Sequence, residues 1–169
     1  MAKRRADPKR PAGSGSRYCV DANVLIHAHR DYPPEHFPGI WTKLDALVGQ
    51  GRLLSAREVL EELKHHEGDV AYAWAKKNKE IFLEVDDAIQ DVVVELMAAF
   101  PTLAKARLGK TRADPFVIAT AITNAACVIT HEEDDDSESR AKIPLVCRRR
   151  SVEHARFPSI IVAEGWVFA

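Results

Sequence analysis

Asp21 interrupts the apolar run "YCVDANVLI" at residues 18–26, two positions before Asn23. A charge buried there needs a partner or a metal, because an isolated carboxylate in apolar surroundings is costly. Glu132 lies two residues beyond a second apolar run, "CVIT" at 127–130. If both runs are strands of one open parallel sheet, both acids reach the edge where such sheets build their sites. An Asx-turn or helix N-cap that merely ends the strand accounts for Asp21 equally well.

Two further acids fit the same pattern less directly. In "SAREVLEELKHH" the residues Val59, Leu60 and Leu63 form one helical stripe. At roughly 100° per residue, Glu58 and Glu61 point about 150° away from that stripe and Glu62 about 105°, at the border of buried and exposed. Ser55 and Glu58 have the spacing of a capping box, which gives Glu58 a structural role. Glu61 reads as a solvated face, and so does Glu62 on its own. Asp114 precedes Pro115 at the start of "DPFVIATAITNAA", where an aspartate is a complete N-cap before proline. Alternatively Thr111 caps and Asp114 faces the positive end of the helix.

Carboxylates gathered at one point repel, and without a cation one of them takes up a proton near neutral pH. A divalent metal removes that conflict, and an all-carboxylate set suits Mg²⁺ or Mn²⁺ better than zinc. Such an ion can activate water and polarise a phosphate ester.

The elements that would position these acids alternate. "YCV" is a short buried strand, "GIWTKLDALVGQG" (39–51) a helix with Ile40, Trp41, Leu44, Leu47 and Val48 on one face, and "RLL" a brief extended piece. Helical stretches "DVAYAWAKKNK" and "DDAIQDVVVELMAAF" flank the candidate strand "IFLEV", and "CVIT" is a β-branched strand followed by the polar loop "HEEDDDSESRAK". Strands alternating with helices predict an α/β sandwich with a mainly parallel sheet.

Composition bounds the rest. At 169 residues one domain is expected, and no apolar run is long enough to span a bilayer. Residues 1–17, with six Lys/Arg against one Asp, read as a disordered basic tail, and residues 18–169 as the domain. That domain carries 18 basic and 24 acidic side chains, so any grip on nucleic acid needs localised positive charge or bridging cations. Arg140, Lys142, Arg148, Arg149 and Arg150 form one basic cluster that could hold a phosphate backbone, or simply solvate a loop. The basic start is not followed by the apolar segment of a secretory signal, which predicts a cytoplasmic protein. Cys19, Cys127 and Cys147 have no metal-binding spacing, and Cys19 and Cys127, which lie in apolar runs, read as reduced core residues. The histidines also lack a ligand spacing: His65 and His66 point about 100° apart on a helix, and His27 with His29 has no third partner.

Taken in order, "Y-x-V-D-x-N-x-L-I", "V-L-E-E-L", "A-D-x-x-V-I-A-T-A" and "V-I-T-H-E" resemble the four acidic motifs of PIN-domain nucleases, the superfamily that includes the VapC-type toxins. The resemblance spans residues 18 to about 135, and the later "K-I-P-L-V-C" looks like a bacterial PIN-like subgroup. It implies a PIN-like three-layer sandwich, Asp21, Glu62 and Asp114 as the main acids, and Glu132 as the fourth. The fourth acid is Glu where Asp is more usual, and Glu133, Asp134, Asp135 and Asp136 compete with it. The resemblance further implies Mg²⁺- or Mn²⁺-dependent cleavage of single-stranded RNA, with Asn23 fixing the Asp21 loop and Thr130 positioning a carboxylate or a water. It suggests a small antitoxin partner and leaves a homodimer open.

A HAD-type phosphatase has a strand-end D-x-D-x-[TV], which "DANV" nearly matches, but the second acid is Asn23 here and an amide cannot shuttle that proton. An inert PIN-like binding module keeps the fold, but has no reason to assemble a costly set of acids.

Overall fold

Tyr18, Cys19 and Val20 are all buried, as the central strand of a doubly covered parallel sheet requires. In the computed structural model, which describes residues 15–65, 70–103 and 112–168, this strand β1 (Arg17–Val20) lies between β2 (Leu53–Ala56) and β4 (Ala126–Ile129). The short strands β3 (Phe82–Leu83) and β5 (His154–Ala155) extend the sheet to the order β3-β2-β1-β4-β5, and every pairing is parallel. Register places Tyr18 beside Leu53 and Cys127, and Val20 beside Ile129. All five strands therefore end at one edge, with Asp21 immediately after β1.

Among the described residues, eight helices flank the sheet: α1 (Ala22–Asp31), α2 (Pro38–Gly49), α3 (Arg57–Lys64), α4 (Val70–Lys77), α5 (Asp87–Ala99), α6 (Asp114–Thr123), α7 (Ile143–Arg149) and α8 (Phe157–Ala163). The five apolar residues expected on the buried face of α2 are all buried, as are Val59, Leu60 and Leu63 of α3. Each such side chain contributes roughly 1.5–3 kcal/mol by leaving water. Helix α6 packs on β1, β2 and β4 and against α5, which brings its first residue, Asp114, to the strand ends. No helix among the described residues is long and apolar enough to cross a membrane.

Three features settle or change the sequence expectation. Of the Asx-turn and the helix start left open at Asp21, the chain takes the helix, the ten-residue α1 starting at Ala22; its polar positions His27 and Arg30 broke the apolar pattern of "NVLI" without ending the helix. The Ser55–Glu58 capping box does not form. Ser55 is still in β2, where its hydroxyl donates to the Val20 carbonyl at 2.7 Å, and Ala56 holds the N-cap position. Glu58, without that capping role, is partly buried, and one of its carboxylate oxygens lacks a hydrogen-bond partner among the described residues. The tail boundary also moves, because β1 begins at Arg17 and Ser16 accepts a hydrogen bond from Arg52 at 2.9 Å. The rest of the expected tail, residues 1–14, lies outside the described residues.

Candidate active site

Four carboxylates reach the carboxyl edge of the sheet from four different elements. Asp21 stands at the N-cap position of α1 in extended conformation, yet makes no capping hydrogen bond. Its carboxylate instead accepts from the Thr130 hydroxyl at 3.5 Å, and that hydroxyl accepts from the Glu132 amide at 3.1 Å. Thr130 thus ties the acid after β1 to the acid after β4. The purely structural N-cap explanation of Asp21 does not describe what its side chain does.

Glu62 sits on the border of α3, as its angle predicted, and accepts the Ala113 amide at 2.8 Å. That bond ties α3 to the start of α6. Asp114 is the first residue of α6, with Ala113 at the N-cap, so Asp114 does not serve as the cap. The alternative cap, Thr111, lies outside the described residues. Glu132 accepts the Ile143 amide at the head of α7 at 2.8 Å, which fixes the end of a long polar loop.

Asp21 is 2% exposed and Asp114 7%. Burial, followed by the charges of Glu132 and Glu62, pushes the Asp21 carboxyl well above the usual carboxylate range. Asp114 is pushed up by burial, then by Asp21 and Glu132, while Arg112 partly offsets the rise. The four acids therefore feel one another's charge. Arg112 is the cation among them: its guanidinium donates to Asp114 at 3.4 Å and lies 4.0 Å from Glu132. Sequence reasoning missed it, since an arginine outside any apolar period carries no signal of its own.

The competing acids of the loop turn elsewhere. Asp134 and Asp136 each pair with Arg148 at 2.8 Å, and Asp135 pairs with Lys142 at 2.6 Å. Arg150 is paired with Glu95 at 3.0 Å, and Arg149 also has an interaction partner. The basic cluster thus offsets nearby acids first. Asn23 is exposed on α1, and among the described residues it makes no side-chain hydrogen bond. The role expected of it in fixing the Asp21 loop falls instead to the helix, where the Val24 amide donates to the Asp21 carbonyl at 3.1 Å.

The donor set is all carboxylate, which fits a hard divalent cation such as Mg²⁺ or Mn²⁺. The two buried acids, raised by burial first and then by the charges of neighbouring acids, supply the electrostatic reason for one. Among the described residues no three His, Cys, Asp or Glu side chains are already drawn together closely enough to ligate one ion. The Ala113 and Ile143 amides and the Arg112 guanidinium each hold one of the carboxylates in its present position.

A family model described as "Domain of unknown function (DUF4411)" matches residues 18–168. No curated protein matches the chain. Among solved structures, it is similar to VapBC2 from Rickettsia felis bound to a DNA fragment from their promoter, at 13% identity and a TM-score of 0.50, covering 82% of this chain and 97% of that one. VapBC-1 from nontypeable Haemophilus influenzae is similar at 13% identity and a TM-score of 0.48, with 83% and 98% covered. The fold is PIN-like: an all-parallel five-stranded sheet flanked by helices, with an acid directly after the central strand.

Proposed function

The chain belongs to the family described as Domain of unknown function (DUF4411), and from that premise we propose that it is a metal-dependent endoribonuclease cutting single-stranded RNA. The observation that carries this reading is the meeting of Asp21 and Asp114, both buried, with Glu62 and Glu132 at one sheet edge, where among the described residues Arg112 is the cation paired with them, through Asp114 and Glu132. A binding module does not need two buried acids that burial and neighbouring carboxylates push well above the usual carboxylate range. The cost makes sense where a cation is to be bound.

Asp21, Asp114 and Glu132 would hold one Mg²⁺ or Mn²⁺, and Glu62 either completes the set or takes the proton from the attacking water. When bound, the ion supplies positive charge against the negative charge building on the phosphodiester. Water oxygen bonds to phosphorus, the bond to the 3′ oxygen breaks, and that oxygen leaves with a proton, giving a 5′-phosphate and a 3′-hydroxyl. Thr130 holds Asp21 and Glu132 in register through its hydroxyl. Arg112, at the border of the site, is placed to leave its carboxylates and meet the phosphate.

The Rickettsia felis assembly that shares the fold is a VapBC complex on promoter DNA. By that likeness the chain is the toxin of a type II pair with a small antitoxin partner. The test is cleavage of labelled single-stranded RNA in Mn²⁺, with EDTA and Asp21→Asn as controls. Loss of cutting in both controls is expected, and metal-independent cutting, or equal cutting by the variant, overturns the reading.

A further inference from the structure

The carboxyl edge does not stop at Glu132. His131, the residue before it, stacks on His27 of α1 with ring centroids 3.7 Å apart and planes 13° from parallel. These two rings, with Asp31, Arg156 and Phe157, line a cavity of about 100 Å³ between α1, the end of β4 and the end of β5. Because β4 and β5 are neighbours in a parallel sheet, the cavity lies along the same edge as the acids, one strand further out.

The chemistry of its walls is specific. The Arg30 guanidinium stands 2.6 Å from His27 Nδ1, and a guanidinium can only donate. Nδ1 must accept, so the neutral His27 ring carries its proton on Nε2 as a free donor. Asp31 is neutralised by Arg30 at 2.9 Å, which removes the one negative wall. Arg156 is exposed and, like Arg17 and Arg140, has no ion pair among the described residues, whereas Arg30, Arg52, Arg57, Arg112, Arg148 and Arg150 are each matched to an acid. Of the three, Arg156 is the one that lines this cavity, together with His27. The volume is enough for a tetrahedral anion.

The geometry points to a phosphate subsite formed by His27, His131 and Arg156, which holds the phosphodiester of the RNA strand next to the one at the carboxylates. The subsite rests on the nuclease reading for its ligand and adds what the acids cannot supply: a cationic grip that sets where along the strand the scissile bond falls.

The experiment uses the full chain with a twelve-nucleotide single-stranded RNA, measuring steady-state cleavage in Mn²⁺ and equilibrium binding in EDTA across a salt series. Arg156→Ala is expected to raise KM about five- to tenfold with kcat within about twofold, and to flatten the slope of log affinity against log salt by about 0.7, the value for one phosphate contact on a single strand. Arg156→Lys restores most of both. An unchanged KM and salt slope in Arg156→Ala, while wild type cuts RNA, overturns the subsite and leaves the nuclease reading standing. Wild type that binds RNA through Arg156 but never cuts it overturns the nuclease reading and supports the subsite. A wild-type chain that neither cuts nor binds RNA overturns both.

Discussion

Glu132 and Asp134 are two residues apart, yet Glu132 bears on the two buried aspartates at the sheet edge while Asp134 is paired with Arg148 in solvent. Along the loop Asp134 and Asp136 share Arg148 and Asp135 pairs with Lys142, whereas at the sheet edge Arg112 reaches only Asp114 and Glu132 among the four acids. Elsewhere the fold can match a buried acid properly. Against the burial that would raise it, hydrogen bonds from Arg52 and Tyr18 hold Glu164 below the usual glutamate range. Unbalanced charge at the sheet edge is thus a local exception, and natural proteins keep such exceptions where function needs them.

The largest expected effect separates the two acidic groups by activity. Asp21→Asn or Asp114→Asn should lower Mn²⁺-dependent RNA cleavage by on the order of 10²-fold or more, since removing one group of a catalytic constellation typically costs 10²–10⁴. Asp134→Asn and Asp136→Asn should stay within about twofold of wild type. Initial rates at saturating metal decide it, and equal losses in both groups would erase the contrast.

The next effect is on stability. A ligand that binds only the folded state at a hundred times its Kd stabilises by about 2.7 kcal/mol, or about 5–10 °C for a domain of this size. Thermal melts at neutral pH should show such a rise with Mn²⁺ in wild type and in Asp136→Asn, and none in Asp21→Asn or Asp114→Asn. The metal-free protein should also lose stability as pH rises. Both buried aspartates have folded values above their unfolded ones, so their contribution is fully present below about pH 4 and disappears as pH climbs through the raised values. Melts from pH 4 to 8 in EDTA should fall more steeply for wild type than for Asp21→Asn, and Mn²⁺ should flatten the wild-type curve.

How much of this was legible beforehand follows from the range over which each signal acts. Short apolar runs bounded by turns located the three central strands and the buried faces of α2 and α3, because periodicity is a local property. Asp21 and Glu132 could be assigned to one edge because parallel strands end together. The capping box failed for a non-local reason: the Ser55 hydroxyl finds the Val20 carbonyl on the neighbouring strand, which no spacing within "SARE" reveals. The same limit hid Arg112, whose meaning depends on Asp114 and Glu132 converging on it, and the His27–His131 stack, which joins residues about a hundred positions apart. Glu62 was the intermediate case. Its angle on the helix marked it as a border residue, but only the bond from Ala113 shows what the border faces.

The smallest effect sharpens the comparison from the paired side. Arg148 holds Asp134 and Asp136 with side chains 39%, 43% and 93% exposed, and exposed pairs contribute less than about 1 kcal/mol each after screening. Arg148→Ala should therefore shift the melting temperature by no more than about 4 °C and leave the Mn²⁺-induced rise intact, because neither freed acid reaches the buried set. Kinetics distinguish the two uses of this arginine. If it serves only to quiet the loop, KM for RNA changes little at moderate salt, where freed loop acids are screened beyond about 10 Å. If the basic cluster also grips the strand, KM rises and its salt dependence flattens while the melt is unchanged, since a phosphate contact exists only in the complex.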